Sequence, residues 1–184
     1  MKKNYDIAII GSGLTGLTTA LAMSSLNYKI ALVDPKPFTF DKENFLDDRT
    51  TAVSIGSVEF YKKIGVWLNL KKHACPIKKI LVEETSSKIR SSFGSSFDKT
   101  SSMGFMIENK NMLKTLAELA RKSKNIVKYD YKLLSLSRNP NKVIINLEKK
   151  VVISAKLIVG ADGRNSYLRG LANIKFKYKD YKQK

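Results

Sequence analysis

Short apolar runs separated by glycine and polar turns mark the beginning of the chain. Tyr5 to Ile10 is an apolar, β-prone run that stops at a glycine, which predicts a strand. Leu14 to Ser25 has the composition of a helix with apolar residues at helical spacing, and Lys29 to Val33 is a second apolar run. A strand, a glycine turn, a helix and a second strand within about thirty residues predict a βαβ unit, and such units build parallel sheets.

Longer elements are predicted in the middle of the chain. Pro35 to Asp48 is polar and contains two prolines, so we expect a loop there. Val53 to Ile64 predicts a helix, and Ile80 to Glu84 predicts a strand. Asn109 to Lys122 repeats apolar residues at the spacing of an amphipathic helix.

The last third of the chain is rich in short β-prone runs. The first of them follow one another closely: Ile126 to Tyr131, Leu133 to Ser137, Val143 to Leu147 and Val151 to Ser154. Together they predict an antiparallel meander. Leu157 to Val159 predicts one more strand, and a short helix is expected from about Asn165 to Ala172. The fold class predicted from all of these elements is α/β.

A glycine loop stands between the first strand and the first helix. Gly11-Ser12-Gly13-Leu14-Thr15-Gly16 has the spacing GxGxxG. In dinucleotide-binding loops the first glycine permits a tight turn, the second lets the backbone approach a pyrophosphate, and the third lets the helix pack closely on the strand. The helix N-terminus then offers free N–H groups to the phosphates. Gly11, Gly13 and Gly16 are therefore candidate cofactor-binding residues, and the alternative is a tight turn without a ligand.

Asp34 lies 18 residues beyond Gly16, at the end of the second predicted strand. A carboxylate at this position can accept hydrogen bonds from ribose hydroxyls, and it would repel a 2′-phosphate. The pattern therefore favours FAD or NAD over NADP as the ligand of this loop. The alternative is an ordinary aspartate at the end of a strand.

Two further segments carry polar residues at the ends of predicted elements. Asp48-Arg49-Thr50-Thr51-Ala52-Val53-Ser54 places Arg49 just before the predicted helix, which also fits a surface capping segment. Gly160-Ala161-Asp162-Gly163-Arg164-Asn165-Ser166 follows a strand of buried type, which also fits a tight turn with a capping aspartate. From the residues alone, a functional role and a purely structural role remain open for both segments.

The charge changes the range of possible partners. The chain of 184 residues has 34 Lys and Arg against 16 Asp and Glu, a formal net charge of +18. Such an excess is typical of proteins that bind nucleic acids or anionic membranes. The basic residues are spread along the chain, however, and become dense only from Lys175 to Lys184. This distribution favours a lysine-rich surface, and no specific nucleic acid is expected as a partner.

Composition also bounds the class and the compartment. Hydrophobic residues make up 43% of the chain, enough to bury a core, which excludes a wholly disordered protein. No apolar run approaches the ~20 residues that cross a bilayer. Cys75 is the single cysteine, so no disulfide can form within the chain, which fits a reducing compartment. We expect a cytoplasmic protein without a targeting segment.

Other candidate chemistry is sparse. The single histidine, His73, lies near Cys75. A Cys–His nucleophile pair is conceivable, but a loop histidine and a small buried thiol are favoured. One histidine and one cysteine cannot form a zinc site of ordinary ligand number, and no carboxylate spacing indicates an acid–base pair. We therefore predict no metal site and assign no catalytic residue.

At the level of motifs, the sequence resembles the FAD-dependent aromatic hydroxylases, and among them the ubiquinone-biosynthesis hydroxylases of the 2-polyprenylphenol and 6-methoxyphenol type. The resemblance rests on GSGLTG near the start, DDRTTAVS after the second strand and GADGRNS near residue 160, in that order. SVEFYKKIGVW and FMIENKNML are similar to the segments between them. The resemblance runs over essentially the whole chain and implies a Rossmann-like FAD/NAD(P)-binding fold.

The resemblance implies roles at the matching positions. The implied cofactor-binding residues are Gly11, Gly13, Gly16, Asp34, Arg49, Asn109, Asp162 and Gly163. The three glycines would hold the FAD pyrophosphate and Asp34 the adenosine ribose. Arg49 would contact phosphate or ribose oxygens of FAD, and Asn109 would lie near its pyrophosphate and ribitol. The Asp-Gly pair, completed by Arg164 and Ser166, belongs to a motif used for both FAD and NAD(P)H.

The family carries a further Gly-Asp segment, rich in small residues, that nothing in this sequence matches. The resemblance therefore implies the N-terminal half of the family fold. Residues 1–184 would form this part of the FAD-binding domain, a segment at about 75–105 would belong to the substrate side, and the substrate domain would be largely missing.

The implied activity is that of an FAD-dependent monooxygenase, truncated or split. It would take electrons from NAD(P)H and hydroxylate the aromatic ring of a polyprenylated quinone precursor with O2. Further implied partners are a separately encoded C-terminal half or other quinone-biosynthesis proteins, and peripheral contact with the inner face of the membrane. The alternatives are another flavin-dependent oxidoreductase on the same fold, and an inactive remnant or basic binding module.

Overall fold

The computed structural model describes residues 3–38, 48–84, 89–94, 102–179 and 181–182. Its strands, in chain order, are β1 (Lys3–Ile10), β2 (Ile30–Val33), β3 (Thr50–Ser54), β4 (Cys75–Ile77), β5 (Lys79–Glu83), β6 (Arg90–Gly94), β7 (Gly104–Glu108), β8 (Ile126–Tyr129), β9 (Leu133–Asn139), β10 (Lys142–Leu147) and β11 (Val152–Gly160). Its helices are α1 (Leu14–Ser25), α2 (Ile55–Lys63), α3 (Trp67–Lys71), α4 (Asn109–Lys122) and α5 (Tyr167–Leu171). The chain divides into two compact units, Met1–Pro37 with Ser123–Lys184, and Phe38–Lys122.

The first unit is built on a six-stranded sheet in the order β8-β2-β1-β11-β10-β9. Strands β8, β2, β1 and β11 are parallel, and β10 and β9 continue the sheet in antiparallel pairing. Parallel strands read as nearly continuous apolar runs because both of their faces are covered. Accordingly, Ile9, Leu32 and Ile153 are at most 1% exposed. The predicted α/β class and its βαβ start are confirmed.

Two details of the predicted meander are wrong. The run that begins at Ile126 forms β8, which pairs in parallel with β2 and lies outside the meander. The runs Val151 to Ser154 and Leu157 to Val159 form one strand, β11, which keeps a constant register along β1. Lys156 interrupts the apolar pattern between them because its side chain is exposed and pairs with Asp6 at 2.8 Å. The antiparallel meander therefore consists of β9, β10 and β11.

The second unit packs helices against the antiparallel sheet β3-β7-β4. Helix α4 has the predicted bounds, and its apolar face is buried, with Leu116 at 0% and Ala120 at 1% exposure. Trp67, at the start of α3, meets the ring of Phe105 edge-on with the ring centroids 5.0 Å apart. The amphipathic pattern of α4 thus reports its buried face correctly.

The helix predicted from Val53 to Ile64 begins later than expected. Residues Thr50–Ser54 pair with β7 as the strand β3, so the helix α2 starts at Ile55. Ser54 ends the strand and caps the helix, because its hydroxyl accepts a hydrogen bond from the N–H of Ser57 at 3.2 Å. Arg49 therefore precedes a strand and not a helix, which corrects the expectation from the sequence.

A separate two-stranded hairpin, β5–β6, also belongs to the second unit. Ile80 pairs with Phe93, and Val82 lies two positions along the same face. These side chains are 41%, 53% and 53% exposed for Ile80, Phe93 and Val82. The hairpin thus presents an apolar face that the described residues leave accessible.

Most of the loop predicted from Pro35 to Asp48 lies outside the described residues.

Candidate functional site

Three loops of the first unit meet where the parallel strands β1, β2 and β11 end. In the sheet register, Ile10 stands between Val33 and Gly160. The N–H of Gly11 donates to the carbonyl of Val33 at 2.8 Å, and the N–H of Ala161 donates to the carbonyl of Ile10 at 2.7 Å. In open α/β sheets, the crevice at the carboxyl ends of the strands is the usual place for ligands.

Two glycines of the loop are required by close backbone packing. Gly11 has φ +103°, and a Cβ built on it would lie closer than 3.0 Å to backbone atoms of Ala161 and Asp162. A Cβ on Gly16 would overlap the carbonyl oxygen of Gly11. These contacts let the first turn of α1 sit directly on the end of β1.

Gly13 has a different environment. It is the N-cap of α1 with an ordinary φ of −72°, and among the described residues no side-chain hydrogen bond caps the helix. No described atom beyond its chain neighbours lies within 4 Å of a Cβ built there. The first N–H groups of a helix have no partner within the helix, and the helix dipole is positive at this end. The open space over Gly13 therefore fits an anionic group such as the pyrophosphate of a dinucleotide.

Asp34 connects the end of β2 to the glycine loop. Its Oδ2 accepts the N–H of Ser12 at 2.7 Å, and its Oδ1 accepts the N–H of Lys36 at 2.8 Å. A carboxylate has about four acceptor positions, so two such bonds leave room for the hydroxyls of a ribose. Asp34 is half-buried, so part of the residue stays accessible.

Asp162 lies just after the end of β11 and accepts hydrogen bonds from residues at the start of α5. Its carboxylate accepts the hydroxyl of Ser166 at 2.6 Å and the N–H of Leu168 at 3.0 Å. Burial acts to raise the pKa of Asp162, but these hydrogen bonds outweigh it and hold the pKa below its ordinary value. Gly163 follows with φ +85° and open space around a built Cβ. The structural alternative named for this segment, a turn with a capping aspartate, is thus present in the fold.

Arg49 and Asn109 belong to the second unit, where antiparallel pairing of β3 and β7 brings them together. Thr50 is the partner of Glu108, and the N–H of Asn109 donates to the carbonyl of Arg49 at 2.9 Å. The hydroxyl of Thr51 donates to Oδ1 of Asn109 at 2.6 Å. This bond fixes the side-chain amide of Asn109, so its NH2 group points away from Thr51 as a donor.

The structure thus gathers the predicted residues into two sets. Gly11, Gly13, Gly16, Asp34 and the Asp162-Gly163 pair surround the strand ends of the first unit, and Arg49 and Asn109 are neighbours in the second. Sequence reasoning missed Thr51, although it stands in the quoted segment beside Arg49. It also missed Lys128, a lysine within a β-prone run, whose ammonium donates to the carbonyl oxygen of Asp34 at 2.7 Å.

The other candidate chemistry gains little. Cys75 is exposed, so the expectation of a buried thiol is wrong. It begins the short edge strand β4, which leaves its side chain uncovered. Within the described ranges, no group of three or more His, Cys, Asp or Glu residues could hold a metal ion.

Comparison with known proteins bears on this site. The profile of a family described as "FAD binding domain" matches residues 4–183. The chain is 30% identical over 174 residues to the 3-demethoxyubiquinol 3-hydroxylase of Escherichia coli, covering 92% of this chain and 44% of that protein. It is 28% identical to the ubiquinone hydroxylase UbiL of Rhodospirillum rubrum, covering 98% and 42%. The chain therefore spans less than half the length of these relatives.

Solved structures share the fold. The p-nitrophenol 4-monooxygenase PnpA of Pseudomonas putida superposes with a TM-score of 0.80 at 16% identity, covering 96% of this chain and 45% of that one. PqsL of Pseudomonas aeruginosa, a probable FAD-dependent monooxygenase, gives a TM-score of 0.80 at 16% identity, with 97% and 48% covered. At this identity the likeness concerns the fold alone.

Proposed function

Because this chain belongs to the FAD binding domain family, we propose that it supplies the FAD-binding part of a flavin-dependent monooxygenase. Three relatives in sequence are named as a 3-demethoxyubiquinol 3-hydroxylase, a ubiquinone hydroxylase and a ubiquinone biosynthesis monooxygenase. The proposed reaction is accordingly the hydroxylation of an aromatic ring in a polyprenylated quinone precursor of ubiquinone biosynthesis, with NAD(P)H as the electron donor and O2 as the oxygen source.

The observation that carries the proposal is the meeting of the glycine loop, Asp34 and the Asp-Gly turn at one edge of parallel strands. Gly11 and Gly16 are explained by packing inside the protein, whereas the open space at Gly13 is not. We assign that space to the FAD pyrophosphate, held by backbone N–H groups of the first turn of α1. The remaining acceptor capacity of Asp34 is assigned to the adenosine ribose.

The second set of residues would act on the middle of the cofactor. The guanidinium of Arg49 is suited to phosphate or ribose oxygens because it offers several donors in a fixed fork. The amide of Asn109, oriented by Thr51, would donate near the pyrophosphate and ribitol. Asp162 and Gly163 would serve FAD and NAD(P)H, in addition to the capping of α5.

The division of labour follows from the chemistry. When bound, FAD would supply the redox chemistry by which two electrons from NAD(P)H and one O2 place one oxygen atom on an electron-rich ring and release the other as water. The residues of this chain bind the adenosine and pyrophosphate end and fix its orientation. Exclusion of water from the reacting ring is assigned to the substrate side of the whole enzyme.

We place the segment at about 75–105 on that substrate side. The support is the apolar face of the β5–β6 hairpin, with Ile80, Val82 and Phe93 exposed. A two-stranded sheet is at best marginally stable in water by itself. Cover from further substrate-side residues of the family fold would bury this face and stabilise the hairpin.

Peripheral contact with the inner face of the membrane is part of the proposal. A polyprenyl tail keeps the substrate in the bilayer, and a net charge of +18 favours approach to anionic lipid headgroups. No helix in the described ranges has the length and apolar character required to cross a bilayer.

The test begins with FAD titration of the purified chain, followed by flavin fluorescence and thermal unfolding. We expect saturable binding and a rise in the unfolding temperature with FAD concentration. NADH and NADPH oxidation is then measured with a polyprenylated phenol present, and products are identified by mass spectrometry. A gain of one oxygen atom on the ring identifies the hydroxylase, whereas no spectral or thermal response to FAD contradicts the proposal. Salt-dependent DNA binding without a response to FAD would instead favour the basic binding module.

A further inference from the structure

Lys128 contacts the candidate site although no motif includes it. It lies on β8, next to β2, and its side chain is only 12% exposed. Its ammonium donates to the carbonyl oxygen of Asp34 at 2.7 Å and to that of Lys36 at 3.1 Å. It also donates to the carboxylate of Asp130 at 2.7 Å. An ammonium has three donors, and these contacts engage them, so Lys128 is a fixed part of the turn that follows β2.

The same turn fixes the direction of the Asp34 carboxylate. Lys36 is held from both sides, because its N–H donates to Oδ1 of Asp34 at 2.8 Å and its carbonyl accepts from Lys128. The other carboxylate oxygen accepts the N–H of Ser12 from the glycine loop at 2.7 Å. The ammonium of Lys128 therefore acts on the carboxylate through the backbone of residues 34–36, without donating to the carboxylate itself in the contacts described.

We propose that Lys128 is a positioning residue for the cofactor. It holds the turn from Asp34 to Lys36 in the one arrangement that leaves the Asp34 carboxylate available to the adenosine ribose. This inference rests on the proposed FAD site. Removing the ammonium would leave the turn's carbonyls of Asp34 and Lys36, and the carbonyl of Tyr129 at 3.4 Å, without their charged donor, and a turn that has lost such bonds relaxes. The carboxylate would then lose its fixed direction.

The first experiment compares two lysine variants. Lys128→Met keeps the apolar stem and removes the ammonium, and we expect the Kd for FAD to rise about tenfold. The Kd for ADP, which carries the adenosine ribose but no flavin, should rise in the same proportion. Lys156→Met is the matched control, because Lys156 pairs with Asp6 at 2.8 Å on an exposed part of the same sheet. Its Kd for both ligands should equal that of the wild type, and calorimetric titration of the 184-residue chain measures all of them.

A second experiment separates positioning from general structure. In an Asp34→Asn background, Lys128→Met should change the Kd for FAD less than about twofold, because both substitutions act on one carboxylate. Asp130→Asn provides a milder variant in case Lys128→Met does not fold. It removes the charged partner of Lys128 from a half-exposed position, and we expect a smaller loss of affinity in the same direction.

Two results would overturn the role of Lys128. One is an unchanged Kd for FAD in both Lys128→Met and Asp130→Asn. The other is a tenfold rise that persists in the Asp34→Asn background, which would indicate a purely structural role. A wild-type chain that binds neither FAD nor ADP contradicts the proposed function itself, and the titration of the wild type shows this before any variant is made.

Discussion

The large sheet of the first unit buries isoleucine side chains that the β5–β6 hairpin of the second unit leaves exposed. Ile145, on β10, is 0% exposed, whereas Ile80, on β5, is 41% exposed. The sheet has six strands and a helix, α1, that contacts β1 and β2. The hairpin has two strands. The strand ends that form the candidate cofactor site are therefore supported by a buried core, while the apolar side chains of the hairpin are exposed among the described residues.

The largest predicted effect is the difference between two isoleucine truncations. Ile145→Ala should lower the free energy of unfolding by about 3 kcal/mol, because it removes buried methyl groups and leaves a cavity. Ile80→Ala should change it by less than about 0.5 kcal/mol, because the side chain is already largely in water. Urea unfolding of both variants measures the difference. Equal losses would show that the hairpin face is packed in solution.

A second comparison concerns two glycines of the same loop. Gly16→Ala places a Cβ against the carbonyl oxygen of Gly11, and should lower the free energy of unfolding by about 2 kcal/mol. Gly13→Ala adds the same methyl group into open space at an ordinary φ, and should cost at most about 1 kcal/mol, because glycine is the better N-cap residue. Thermal and urea unfolding check both values. If the two variants are equally stable, the close approach of α1 to β1 is not a constraint on the fold.

The elements that could be predicted from the sequence are those set by residues close together in the chain. The bounds of α1 and α4 were predicted correctly because glycine, alanine and amphipathic spacing act within a few residues. The strand β3 was missed because Thr50 to Ser54 becomes a strand only through its pairing with β7. The parallel place of β8 was missed for the same reason, since strand order is decided by contacts far apart in the sequence.

The candidate site divides along the same line. Gly11, Gly13, Gly16 and Asp34 follow from motif spacing, although their roles toward FAD stay predictions. Lys128 could not be found this way, because its importance depends on β8 lying beside β2. The contacts of a lysine within a β-prone run cannot be predicted until the neighbouring strand is known.

Ligand binding is predicted to change at Gly13, beside the carboxyl ends of the parallel strands. Gly13→Ala should raise the Kd for FAD about tenfold, because the new methyl group occupies the space assigned to the pyrophosphate. Gly170→Ala is a matched control, since a Cβ there also meets open space but the residue has no predicted cofactor role. Fluorescence titration of both variants measures the Kd. An unchanged affinity in Gly13→Ala would place the pyrophosphate elsewhere.

The smallest predicted effect is a dependence of stability on pH at the same edge. The hydrogen bonds from Ser166 and Leu168 hold the folded-state pKa of Asp162 below its ordinary value of 3.8. The stability this provides is therefore complete above the ordinary value and is lost as the pH falls through the lower, folded-state pKa. Asp162→Asn should be less stable than the wild type at neutral pH by less than about 1 kcal/mol, because solvent screens the half-buried group.

That difference should shrink as the pH is lowered, and urea unfolding at a series of pH values measures it. Glu83→Gln on the hairpin is the control, because Glu83 pairs with Arg90 at 3.1 Å with both side chains more than half exposed. Surface pairs of this kind contribute little, so this variant should follow the wild type at every pH. A difference between the wild type and Asp162→Asn that grows in acid would mean that the folded-state pKa of Asp162 lies above its ordinary value. The hydrogen bonds of the turn after β11 would then not stabilise the folded state in the way that the apolar core of the sheet does.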